Sequence, residues 1–126
     1  MNHRTRTDIR QSVRTVLSSR QEGGMRGWLP RTGQPSPRPR DQVEAELLQL
    51  RRALAKEGTE LSGDIEKDAA LVLAARRQGH RVDLVIGREI APPDQDCRYV
   101  SWVEHNESVI LTVAPVRELY EEVARW

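Results

Sequence analysis

The sequence predicts an α+β fold: a small three-stranded antiparallel meander packed by two preceding helices and a C-terminal helix, with a basic N-terminal arm. Three observations lead there. The runs RVDLVIGREI, CRYVSWVEH and ESVILTVAP are rich in β-branched and aromatic residues and are separated by turn formers. Apolar residues recur at helical spacing on both sides of them. Charge, finally, divides the chain. Residues 1–40 hold nine Arg, no Lys and only Asp8 and Glu22, a net of +7, while residues 41–126 hold eleven Lys/Arg against seventeen Asp/Glu, a net of −6. The expected organisation is an arginine-rich arm over residues 1–40 and an acidic α+β domain over 41–126.

Within the arm, Thr7-Asp8 reads as a helix start, and Ile9, Val13, Val16 and Leu17 then share one face of a helix over about 7–20. Arg6, Arg10 and Arg14 form an i, i+4 ridge on it. A helix this short is marginal alone and needs a docking surface. From Gln21 to Arg40, Gly23, Gly24, Gly27 and Gly33 with Pro30, Pro35, Pro37 and Pro39 read as linker. Met25, Trp28 and Leu29 interrupt it as a possible docking cluster.

In the domain, Asp41 opens a helix through Lys56 whose Val43, Leu47, Leu50 and Leu54 form a heptad seam. The seam suits one helix of a packed pair or an interface with a partner or second copy. Gly58 ends that helix, and Ser62 or Asp64 caps the next. Its AALVLAA run, Ala69–Ala75, is apolar nearly all round and should be buried. Arg76 and Arg77 suit the helix dipole, and Gly79 supplies the C-terminal cap. In the first strand Val82, Leu84 and Ile86 face one way, Asp83 and Val85 the other. Pro92, Pro93, Asp94 and Asp96 mark a loop, and His105-Asn106 a tight hairpin. Pro115 begins the expected last helix, with Val116, Leu119, Tyr120 and Val123 inward.

Several chemistries fall away. The one cysteine, Cys97, excludes an internal disulfide and any multi-cysteine zinc site, and a reducing, cytoplasmic setting is the expectation. No apolar run approaches the roughly 18 residues of a membrane span, and no apolar segment follows the basic start as a secretory signal needs. His80, Cys97, His105 and the Asp94/Asp96 pair match no metal-ligand spacing, so neither a metal nor a cofactor is expected. Cys97 with His80 or His105 would make a thiolate pair, without a supporting signature.

One stretch carries a resemblance. A buried helix, then GHRVDLVIG, then a strand ending WVEHN is similar to the core of the PD-(D/E)xK nucleases over about 30 residues. The resemblance implies a divalent metal held by Asp83 and Glu104, with Asn106 standing where that family has lysine.

Binding is the other prospect. Arg4, Arg6, Arg10, Arg14, Arg20, Arg26, Arg31, Arg38 and Arg40 suit a nucleic acid or an acidic protein surface, with Trp28 for stacking or docking. No recognisable base-reading motif accompanies them. For assembly, Val43, Leu47, Leu50, Leu54 and Trp126 are the candidate interface residues, with Arg81–Ile90 or Val109–Val113 as an open sheet edge. The expected protein is a non-enzymatic accessory or assembly factor.

Overall fold

A computed structural model describes residues 2–22, 34–90 and 98–126. The elements in order are α1 (His3–Glu22), α2 (Arg40–Glu57), α3 (Gly63–Arg77), β1 (Val82–Glu89), β2 (Tyr99–His105), β3 (Ser108–Ile110), a single helical turn α4 (Val116–Leu119) and β4 (Tyr120–Arg125). The α+β class holds. The sheet has four strands in the order β3-β2-β1-β4, every neighbouring pair antiparallel.

Helix α1 starts earlier than Thr7 because Asn2 caps it: the Asn2 side-chain oxygen accepts from the Thr5 N–H at 2.8 Å. Thr7 instead donates its hydroxyl back to the His3 carbonyl. Ile9, Val13 and Val16 are buried in the same core as Val43, Leu47, Leu50 and Leu54 of α2 and the Ala69–Ala75 run of α3. The heptad seam of α2 therefore lies inside the chain's own core. Gly58 closes α2, its N–H donating to the Leu54 carbonyl at 2.7 Å. At the end of α3 the His80 N–H reaches the Ala75 carbonyl and the Gly79 N–H the Arg76 carbonyl. This is a Schellman cap, with Gly79 at φ +88°.

Helix α3 lies on the β1–β2 face, where Val82, Leu84, Val103 and Ile110 complete the main core. The opposite sheet face carries a smaller cluster of Val85, Trp102 and Val116, with Val100, Val109 and Tyr120 packed around it. Asn106 and Glu107, at φ 49° and 65°, make the β2–β3 turn.

Three expectations are corrected. The C-terminal segment is one turn of helix followed by β4, not a helix through Val123. A helix there would have left one edge of β1 without partners. The chain satisfies it by pairing Val85 with Arg125 and Glu89 with Tyr120, and by reciprocal Leu84–Trp126 backbone bonds at 2.8 and 2.9 Å. As a result Arg81–Ile90 is no open edge, because β1 sits between β2 and β4. The third strand is also shorter than ESVILTVAP. Leu111, at φ 69°, donates its N–H to Glu44 at 2.9 Å, and Arg40 donates to the Val109 carbonyl at 3.1 Å. Side chains of α2 thus cover that sheet edge.

The β4 edge carries a register irregularity opposite Ile86/Gly87 and the adjacent charges Glu121 and Glu122. Both features discourage edge-to-edge pairing. No helix among the described residues is long and apolar enough to cross a membrane.

Candidate functional site

The nine arm arginines divide into three groups. Arg6 and Arg10 both approach Glu57, at 3.8 and 3.3 Å. Arg20 pairs with Glu66 and also reaches the Glu60 carbonyl; its hydrogen bond holds the Glu66 carboxyl below the usual carboxylate range. Arg38 contacts His80, and Arg40 contacts Glu44 and Val109. These five are partly engaged by the domain's own groups. Arg4 and Arg14 are exposed and meet no carboxylate among the described residues. Arg26, Arg31 and Trp28, with Met25 and Leu29, lie outside the described residues, as do Asp94, Asp96 and Cys97.

Helical geometry explains what the docked α1 shows to solvent. Ile9, Ser12, Val13, Val16 and Ser19 are buried against α2 and α3. Among the described side chains, the exposed residues on the far side include Arg4, Arg10, Gln11, Arg14 and Ser18, with no carboxylate among them. Asp8 sits half-buried at the flank with one carboxylate oxygen enclosed. At about 1.5 Å rise per residue, Arg4 to Arg14 covers roughly 15 Å. Because Glu57 is a single carboxylate facing two guanidiniums, it leaves that end of the stripe positive. Surface pairs of this exposure exchange readily for an external anion.

The carboxylates named by the nuclease resemblance do come together. Asp83 and Glu104 are directly opposite on β1 and β2. Guanidinium groups occupy them. Arg125 reaches Asp83 at 3.3 Å and Glu104 at 3.0 Å, Arg76 approaches Asp83 at 3.6 Å, and Arg117 binds Glu104 at 2.7 and 3.2 Å. The Trp102 indole N–H completes the set at 2.8 Å. Burial alone would push the Glu104 carboxyl up, but the hydrogen bonds from Arg117, Trp102 and Arg125 hold it below its ordinary value. Asn106 is elsewhere, its amide bonded to the Ser36 backbone. No group of three His, Cys, Asp or Glu among the described residues is placed to hold a metal ion. The arrangement is that of an ion-pair cluster, roofing a shallow cavity of about 550 Å³ beside Trp102 and Tyr120.

The remaining candidates have structural surroundings. Val43, Leu47, Leu50 and Leu54 are buried, and Trp126 is partly buried against the main core. Asp68 accepts from the Ser101 hydroxyl at 2.7 Å in the wall of a cleft of about 640 Å³; burial pushes its carboxyl up and Ser101 pulls it back. Sequence reasoning missed Arg117, Arg125 and Trp102 as partners of Glu104. The alternation within WVE, which puts Trp102 and Glu104 on one face, was the available signal. Comparison with protein families, curated proteins and solved structures finds no match.

Proposed function

We propose that the protein is a non-enzymatic accessory factor that binds nucleic acid or another polyanion, without sequence specificity, through the outward face of α1. One observation supports this best: Arg4, Arg10 and Arg14 are exposed together on α1, and Arg4 and Arg14 meet no carboxylate among the described residues. A docked helix holds its arginines at fixed spacing, so less ordering entropy is lost on binding than with a free arm. Phosphate contacts of this kind confer affinity and salt dependence but not base reading.

The test is fluorescence anisotropy with labelled mixed-sequence DNA and RNA across a salt series, comparing the full chain with Arg4→Ala/Arg14→Ala. Each duplex phosphate contact contributes about 0.9 to the slope of log K against log salt. The double variant should therefore bind more weakly at low salt, with a slope shallower by up to about 2. Equal binding by the two proteins would remove α1 from the reading. Binding of polyglutamate in place of either nucleic acid would identify an acidic protein surface as the partner.

A further inference from the structure

The segment 34–39, which leads into α2, is strapped to the domain through side chains distant in sequence. The Ser36 N–H donates to Asn106 Oδ1 at 2.7 Å, and the Asn106 amide returns a bond to the Ser36 carbonyl at 3.2 Å. Arg81 donates to the Pro35 carbonyl at 2.8 Å. At the inner end, Arg38 lies against His80, whose ring is 3% exposed.

Two charged groups of opposite sign bear on the His80 ring. Nε2 is 2.7 Å from a Glu46 carboxylate oxygen, so Nε2 carries the proton. Arg38 Nη1 lies 3.0 Å from Nδ1 and 3.3 Å from Nε2, so the guanidinium sits over the imidazole and sets its positive charge against the ring. A second proton on the ring would set one cation against another in an enclosed site. The groups facing this ring are Arg38 from the strap, Glu46 from α2 and His105 from β2. Glu46 favours the imidazolium, but it is 42% exposed and so its charge is screened. His105 is also 3% exposed; its ring bonds the Arg38 backbone, faces Arg40, and leaves Nε2 enclosed without a partner. Burial and the neighbouring guanidiniums disfavour the charged form of both imidazoles.

We propose that His80 is a proton-sensing latch: a second proton on its ring expels Arg38 and frees the 34–39 strap between α1 and α2, while the helices and sheet stay folded. Burial and the Arg38 charge hold the His80 imidazole below its ordinary value, so the latch is closed at neutral pH and opens in mild acid. Opening also releases Arg38 from its pocket.

NMR on the full chain tests this, following the His80 and His105 rings, the Ser36 amide, the Asn106 side-chain amide and core amides such as Leu47 and Val103 from pH 7.5 to 5. Ser36 and Asn106 should move to solvent-exposed positions with the His80 midpoint, itself below 6.5, while the core amides hold. His80→Gln keeps a donor toward Glu46 and takes no proton, so Ser36 should stay in place down to pH 5. Three results overturn the proposal: Ser36 and Asn106 unmoved as His80 titrates, a strap midpoint that follows His105, or core amides lost at the same pH. The wild-type midpoints decide it even if the variant does not fold.

Discussion

Replacing Glu104 by Gln changes one atom in the outer sheet face and should be among the most costly conservative substitutions in the chain. The wild-type carboxylate, with a side chain 0% exposed, receives the Trp102 indole on Oε2, Arg117 on both oxygens and Arg125 on Oε1. Every partner is a donor. A glutamine amide offers one acceptor oxygen, so whichever way it points its NH2 faces a donor, and at least one buried group goes unsatisfied. Breaking a fully buried ion pair costs about 3–5 kcal/mol. Here Arg117 is 51% exposed and can turn to water, and Arg125 keeps Asp83 and Glu122, so the discounted expectation is about 2–4 kcal/mol.

For a chain of this size that corresponds to a fall in Tm of roughly 10 °C. Urea denaturation followed by circular dichroism measures it. The pH dependence adds an internal check. Since the folded Glu104 carboxyl is held below 4.5, its contribution is complete above that value and is lost as pH falls through the folded one. The Glu104→Gln penalty should shrink over that range. An unchanged urea midpoint at pH 7, or a penalty that persists once the wild-type carboxyl is protonated, would refute the reasoning.

Three further outcomes follow from the packing and the buried histidines. A Cβ added at Gly87 would lie 2.5 Å from Trp102 Cζ3, so Gly87→Ala must displace the indole, with an expected loss of about 1–3 kcal/mol and an altered near-ultraviolet dichroism signal. Leu47→Ala, at a side chain with no exposure, should cost about 2–5 kcal/mol by denaturant titration, whereas its exposed neighbour should tolerate Leu48→Ala within about 0.5 kcal/mol. Stability should decline as pH falls below 6.5, because the unfolded chain then binds protons more readily than the folded His80 and His105 do. Asp68, with its raised carboxyl, works in the opposite direction nearer pH 4. Urea midpoints at pH 7.5, 6 and 5 record the balance, and a midpoint constant across that range would contradict the burial of both imidazoles.

Much of the local structure was legible from residues a few positions apart. The seam Val43-Leu47-Leu50-Leu54 and the Ala69–Ala75 run are buried as their patterns require, and Gly79 and Asn106 take the positive φ that a helix end and a hairpin turn need. Strand alternation lets Asp83 and Glu104 share a sheet face, but it is the register of β1 against β2 that sets them opposite one another.

What only the tertiary structure decided depends on groups far apart in the chain. The sequence by itself determined the α+β class, the charge division and the apolar faces, because spacing within one element encodes them. It did not determine that Tyr120–Arg125 would leave its helical pattern. That choice turns on β1, some 35 residues earlier, having an edge to satisfy. Nor did it determine where the arm's charge goes: Arg20 finds Glu66 across 46 residues, Arg38 finds His80 across 42, and Ser36 is held by Asn106 across 70. Hydrogen bonds and ion pairs choose partners by proximity in space. For the arginines of α1 and its linker, packing against α2, α3 and the sheet decided which find a partner within the fold and which, like Arg4 and Arg14, meet no carboxylate among the described residues.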